Sequence, residues 1–320
     1  AGFYYKTFMR PKWAWLKYEY IIRQMAGLGA SPTEQDPDTY DKRFLHCDVL
    51  VVGAGPSGLA AAKTAAATGA RVIICDEDTL PGGGLLGEEA TIDGMCGHDW
   101  AAMITADLST MENVDVLLST SVFNYSDHNY LLAISDNPPP AKTRKTLLKI
   151  RSKQVILATG SIERPQLFIG NDLPGVMLAG SVRTYINRFG VKPGKTAVIY
   201  TNNDSGYASI PTLMKAGIAV KAIIDNRDTV SDEATKLAGD LNIKIHSAHR
   251  LIKANGRGRV KSTTIQSMSG GNSQIISCKL VLMAGGWSPT AHLFSQIGGK
   301  LNFDDDLATL VADASTHSSY

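Results

Sequence analysis

Cysteine is scarce. The 320 residues hold four, Cys47, Cys75, Cys96 and Cys278, too far apart for a Cys-x-x-Cys pair or a zinc spacing. A disulfide framework is excluded, and reduced thiols in a cytoplasmic protein are expected. Long apolar runs are also missing. The longest, Val49 to Ala62, is broken by three glycines and a proline and is too short to span a bilayer, so no membrane partner is expected. Nor does charge of one sign prevail: 32 Lys and Arg stand against 30 Asp and Glu, a net +2, which gives no field to recruit nucleic acid. Short-period repeats and low-complexity tracts are absent. The chain opens AGFYYKTFM, without an initiator Met or a secretory pattern, and reads as a fragment. What remains, 44% hydrophobic and 19% charged residues, is the balance of a soluble globular chain with one or two sizeable cores.

Four stretches are expected along the chain: an arm and linker at 1–46, a nucleotide-binding domain at 47–165, a second such domain inserted at 166–270, and a return to the first at 271–320. The arm carries Phe3, Tyr4, Tyr5, Phe8, Trp13, Trp15, Tyr18 and Tyr20. It either packs on its own chain or meets another domain or subunit, where Trp and Tyr are enriched. Ser31 to Asp41, with its prolines and acids, reads as linker. From Cys47 a short apolar strand, a glycine turn, an Ala-rich helix from Pro56 to Thr68 and a strand from Arg71 to Cys75 make a βαβ unit. The runs VDVLLSTSVFN, YLLAI, TLLKI and KQVILATGS read as a meander, with Asn137 to Pro140 as a turn. Its scattered Lys and Arg alternate with apolar residues, as on a solvated strand face. A second βαβ unit covers Lys195 to Asp225, followed by a helix from about Ser231 to Leu241 and the runs KIHSA, VKSTTIQ and QIISCKLVLMAGG. Strands alternating with helices, twice over, predict an α/β fold of two Rossmann-like domains.

The sharpest motif is Gly53-Ala54-Gly55-Pro56-Ser57-Gly58. Gly53 suits the tight turn, Gly55 the approach of backbone to a pyrophosphate, and Gly58 close packing of helix on strand. The helix start offers free N–H groups and the positive end of its dipole. Asp76 ends the second strand and suits the two ribose hydroxyls of an adenosine; its charge opposes a 2′-phosphate, so NADP is disfavoured. Gly82, Gly83 and Gly84 follow at the spacing where two-dinucleotide flavoproteins pass the pyrophosphate. Val155 to Gly160 is similar to the second motif of that superfamily, a strand delivering the turn Thr159-Gly160 beside the nucleotide.

The second unit is degraded. Its three glycine positions are Thr201, Asn203 and Gly206, and Asp204 puts negative charge where phosphate belongs. Asn203 or Asp204 is expected to cap the helix and close the site, although Asp225 keeps the ribose-acid position. His98 beside Cys96 and His292 are read as structural. Neither a metal cluster nor a nucleophile elbow is visible, and the stretch after the glycines, LLGEEATIDG, carries no redox thiol.

On AGFYYKTFM, HCDVLVVGAGPSGLAAA, CDED, PGVMLAGSVRTYINRFGV, VIYTNNDSGY and GGWSPTAHLFSQIGGKL, the sequence resembles the α subunits of the heterotetrameric sarcosine oxidase family over essentially its whole length. The resemblance implies a fold of the FAD/NAD(P)-binding, glutathione-reductase-like type and a non-covalent NAD lined by Ser57, Asp76, Glu77, Asp78 and Gly84, with Val122 meeting the adenine through its backbone. It also implies β, γ and δ partner subunits, FAD in the β subunit, FMN at the α/β boundary, and tetrahydrofolate on a C-terminal half absent from this sequence. Amine oxidation then belongs to the β-subunit FAD, and this chain alone is expected to be inactive. Two other readings stand beside it: the α subunit of a related proline or opine dehydrogenase holding FAD at this site, and a non-catalytic nucleotide-binding scaffold.

Overall fold

In the computed structural model, which describes residues 10–27, 33–137, 141–313 and 315, the chain divides into two units, 1–39 and 40–320. In the first, a 3-10 turn at Lys12–Ala14 leads into helix α1 (Trp15–Met25). Trp13, Trp15, Tyr18 and Tyr20 lie on this turn and helix, whereas Phe3, Tyr4, Tyr5 and Phe8 lie outside the described residues.

Strand β1 (Thr39–Val52) starts at the boundary of the two units, so the arm and linker end earlier than 46. Residues 40–46, exposed but for the half-buried Leu45, fall within the expected arm and linker. They belong instead to a strand of the sheet, with Lys149 Nζ of a neighbouring segment lying 5.0 Å from the Phe44 ring centroid. After β1 come α2 (Pro56–Ala67) and β2 (Val72–Cys75), then a small hairpin of β3 (Thr91–Ile92) and β4 (Met95–Cys96), then α3 (Gly97–Ser109) and β5 (Val114–Leu117). The meander is β6 (Thr120–Ser126), β7 (Tyr130–Asp136) and β8 (Thr143–Leu157). The run VDVLLSTSVFN is thus two strands, parted at Ser119, whose φ is +50°. TLLKI and KQVIL are one, and residues 138–140 of the expected proline turn lie outside the described residues. The sheet order is β5-β2-β1-β8-β7-β6, parallel across β5, β2 and β1 and antiparallel across β8, β7 and β6.

Successive side chains of a strand point to opposite faces, and β1 and β2 use both. Val51, Val72 and Ile74 pack with Leu59, Ala62 and Ala66 of α2 and Ile104 and Leu108 of α3. Leu50, Val52 and Ile73 pack with Tyr125, Leu131, Leu148 and Ile150 of the meander. The parallel sheet is therefore covered on both faces, as all-parallel strands require.

The chain leaves this lobe through β9 (Ser161–Glu163) and builds a second one. It comprises β10 (Val176–Leu178), α4 (Ala179–Asn187), β11 (Thr196–Thr201), a 3-10 turn at Asp204–Ser209, α5 (Ile210–Lys215), β12 (Ala219–Asp225), α6 (Asp232–Asp240) and β13 (Ile245–His246). The antiparallel strands β14 (His249–Gly256), β15 (Val260–Ser267) and β16 (Gln274–Ser277) follow, then β17 (Leu280–Ala284). The parallel order is β10-β17-β11-β12-β13. Alternation again divides the core: Ala197, Ile199 and Ile223 face α4, α5 and α6, while Val198, Tyr200 and Ile224 face Leu251, Val260 and Ile265 of the antiparallel sheet. Ser231 caps α6, accepting from Ala234 N–H at 3.3 Å, with Asp232 and Glu233 in the first turn as its sequence indicates.

The expected return to the first lobe at 271 falls too early. β16 pairs with β15 and the wholly buried β17 with β10 and β11, so the second lobe runs through Ala284. The run QIISCKLVLMAGG divides at Cys278 because its two halves serve different sheets. The crossing back is β18 (Trp287–Pro289), antiparallel to β9. After it come α7 (His292–Gln296) and a hairpin of β19 (Leu301–Asp304) and β20 (Thr309–Ala312).

Candidate functional site

The fingerprint forms the turn between β1 and α2. Gly53 has φ +106°, and a Cβ there would run into the carbonyl of Ala158; a Cβ on Gly58 would overlap the carbonyl oxygen of Gly53. Both glycines are demanded by the fold itself, which brings helix, turn and the end of β8 within backbone contact. Gly55 is different. Its φ of −71° and ψ of 179° suit any residue, and a Cβ there meets nothing within 4 Å. Here a side chain would project into open space. No side chain caps α2, which leaves the donors of its first turn available to an anion.

Asp76 lies at the rim of this turn. Its Oδ2 accepts from Ala54 N–H at 2.5 Å and its Oδ1 from Asp78 N–H at 2.8 Å. The carboxylate thus ties the glycine turn to the loop after β2, and each oxygen keeps lone-pair capacity for a ribose hydroxyl. Gly82 N–H donates to Ala54 O at 2.8 Å, and a Cβ on Gly83 would lie 3.2 Å from Gly55 Cα. The two glycine segments therefore face one another across the groove, with Ser57, Gly83 and Gly84 exposed at its lip.

Thr159-Gly160 reaches the same turn, since Ala158 N–H donates to Val52 O at 2.8 Å. Thr159 Oγ1 donates to Thr290 O at 2.7 Å, and Thr290 N–H to Gly160 O at 3.0 Å. The turn is thus fixed by the segment after β18. Val122 pairs with Ala133 in β7, beside an irregularity at Phe123, and Gln296 of α7 bonds Tyr125 N–H and Phe123 O. His292 opens α7.

Two of the carboxylates named from sequence do other things. Glu77 is exposed and makes none of the contacts above. Asp78 takes a bidentate pair from Arg188 at the end of α4, at 2.6 and 2.7 Å. Sequence reading passed over Arg188, because an Arg at a helix end carries no motif. That guanidinium, helped by Thr79 and Leu80 N–H, holds the Asp78 carboxyl down to about 2. An unfolded Asp titrates near ~3.9, so the contribution of the pair to stability is full above that value and is lost as pH falls toward 2. Denaturation at pH 6 should separate Arg188→Ala from the parent, and at pH 2 the gap should close; a constant gap would mean that the pair contributes nothing.

The corresponding place in the second lobe is filled. Asn203 Oδ1 accepts from Ser205 N–H at 3.0 Å, Thr201 Oγ1 donates to Asn203 O at 2.6 Å, and a Cβ on Gly206 would lie 2.7 Å from the Thr201 side chain. Of the two expected caps, Asn203 is the one used. Asp225 is completely buried. Its Oδ2 accepts from the Tyr207 hydroxyl at 2.9 Å and from Arg227 at 2.8 Å, and its Oδ1 from Arg227 N–H at 2.9 Å. A ribose could reach this carboxylate only by displacing Tyr207 and Arg227.

All four cysteines are free. Burial pushes the Cys75 thiol up to about 12 and the Cys278 thiol up to about 11, which makes both inert. The structure brings Cys96, His98 and Asp99 together, a grouping that sequence reading did not see as a metal cluster. Cys96 Sγ lies 3.1 Å from His98 Nδ1, while Asp99 Oδ1 lies 3.3 Å from Nε2. Thiol and carboxylate thus sit at opposite edges of one exposed imidazole. No helix among the described residues is long and apolar enough to cross a membrane.

Residues 47–315 match the family model of the pyridine nucleotide-disulphide oxidoreductases. The α subunit of the sarcosine oxidase of Rhizobium meliloti strain 1021 is 42% identical over 98% of this chain, which spans only 32% of that relative's length. An opine oxidase subunit of Agrobacterium tumefaciens strain Ach5 is 31% identical over 56% of this chain and 36% of that protein. Among solved structures, the thioredoxin reductase of Lactococcus lactis superposes with a TM-score of 0.66 over 86% of this chain and 87% of the other, at 16% identity.

Proposed function

The chain belongs to the pyridine nucleotide-disulphide oxidoreductase family, and from that footing we propose that it is the NAD-holding region of a sarcosine-oxidase-type α subunit. The observation that carries the reading is the contrast between its two Rossmann turns. One is open at Gly55 and uncapped, and the other is filled by Asn203 and by the Asp225–Arg227–Tyr207 network. The likeness to the Rhizobium meliloti protein supplies the rest.

NAD, when bound, supplies a two-electron hydride acceptor. The chain's own residues hold it: the backbone of Gly55, Pro56, Ser57 and Gly58 receives the pyrophosphate at the positive end of α2, and Gly83 and Gly84 close over it. Asp76 orients the adenosine ribose and repels a 2′-phosphate, and Thr159-Gly160 and Val122 border the groove. All four cysteines are free and Cys47, Cys75 and Cys278 are buried, unlike the accessible thiol pair of a disulfide reductase, and in this reading electrons from the amine enter elsewhere in the complex. The proposed route is the β-subunit FAD and an FMN at the α/β boundary, with γ and δ subunits completing the assembly and tetrahydrofolate accepting the one-carbon unit in a further region of the α subunit. The assembled enzyme then demethylates sarcosine to glycine with oxygen and is cytoplasmic.

Denaturing the purified chain and taking the spectrum of the released nucleotide tests this. A colourless preparation releasing one NAD per chain is expected, with no hydrogen peroxide from added sarcosine. A yellow preparation with a flavin band would favour the second reading, an FAD-holding component of a related amine dehydrogenase, to which the opine oxidase likeness points. An empty chain would leave a scaffold.

A further inference from the structure

The loop that carries the ribose acid belongs to the first lobe, yet the second lobe grips it near both ends. Arg188 takes Asp78 in the bidentate pair, Asn187 Nδ2 donates to Gly87 O at 2.9 Å, and Arg183, itself buried, pairs with Glu88 at 3.1 Å. Lys215 reaches Glu89 at 3.0 Å. Residues 183 and 187 lie one helical turn apart, as do 184 and 188, so α4 presents one face to the loop. The fit is tight: a Cβ on Gly87 would lie 2.5 Å from Thr184 Oγ1.

The grip reaches the nucleotide groove through one residue. Asp78 gives its carboxylate to Arg188 and its N–H to Asp76 Oδ1, and Asp76 Oδ2 in turn holds Ala54 N–H inside the glycine turn. We propose that Arg188 is a positioning residue for dinucleotide binding. From the second lobe, which has no open nucleotide turn of its own, it fixes Asp78 and so sets the angle at which Asp76 meets the ribose. Without Arg188 the Asp78 carboxylate loses its countercharge, the 76–80 loop gains alternative shapes, and only a fraction of molecules present Asp76 correctly. Apparent affinity falls by that fraction.

The inference rests on the first Rossmann turn being the dinucleotide site, and the test separates the two. NAD is titrated calorimetrically into the nucleotide-stripped protein, purified as the assembly it forms in its source cells. Arg188→Ala and Asp78→Ala should each weaken binding roughly fivefold, the upper end for one partly exposed charge pair. The double variant should be no weaker than either single one, and the exchange of D78R with R188D should recover most of the loss. Glu89→Gln, which breaks an inter-lobe pair that does not touch Asp76, should leave affinity unchanged. Additive single effects, or an affinity unmoved by Arg188→Ala in protein with a parent-like far-ultraviolet spectrum, would overturn the proposal. If Gly55→Val also binds NAD normally, the site reading itself falls; if Gly55→Val alone loses NAD, only the role of Arg188 does. Should Arg188→Ala fail to fold, Arg188→Lys keeps the charge without the fork and should show a smaller loss.

Discussion

Gly55→Val should fold like the parent and lose its nucleotide. The backbone at Gly55 is extended and a Cβ there meets no protein atom, so the cost to the fold is limited to a poorer helix start, about 1 kcal/mol. In the proposed binding mode the same side chain stands where the pyrophosphate touches the main chain, and affinity should drop at least on the order of a hundredfold, about 2.7 kcal/mol. The neighbouring glycines should behave oppositely. Gly58→Ala forces a methyl into the carbonyl of Gly53, and Gly53→Ala adds an unfavourable φ to a collision with Ala158. Each should destabilise by about 3 kcal/mol or more. Thermal midpoints and nucleotide content, measured together, check this: equal midpoints for all three variants, or retained nucleotide in Gly55→Val, would refute the division of labour.

Arg227→Ala should be among the most destabilising single changes in the second lobe and should leave nucleotide content alone. Asp225 is wholly buried, and Arg227 binds it by two side-chain nitrogens as well as by its own N–H. Removing the guanidinium leaves a buried carboxylate with the Tyr207 hydroxyl and backbone alone, a defect worth about 3 kcal/mol. Burial and the Asp225 charge push the Tyr207 phenol upward, which keeps it protonated as the donor to Asp225. Tyr207→Phe removes one hydrogen bond, ~1 kcal/mol, and Asn203→Ala a cap of similar size. Urea denaturation gives the sizes. Loss of NAD in any of these variants that still folds, or two NAD per chain in the parent, would mean that the second turn takes part in binding.

Much of the first turn's geometry was legible because a glycine turn between strand and helix is written in consecutive residues. Gly53, Gly55, Gly58 and Asp76 have roles that follow from turn geometry, and the defects at Thr201 and Asn203 were readable by the same rule. The family resemblance carried by PGVMLAGSVRTYINRFGV already contained α4, although nothing in that run distinguished Arg188 from any other surface arginine. Short apolar runs also showed that strands exist, but not where each one pairs.

The sequence by itself determined the α/β class, the open first turn and the degraded second one, since helix and strand periodicity and the glycine requirement of a tight turn are local properties. Only the tertiary structure decided that β17 belongs to the second lobe, that β1 starts at Thr39, and that Asp78 is committed to Arg188 across the lobes. It also decided why the three glycines differ. Gly53 and Gly58 are fixed by what lies against them, whereas Gly55 faces open space. Strand partners, ion pairs between distant residues and the space around a Cβ depend on parts of the chain far apart in sequence, and no local pattern encodes them.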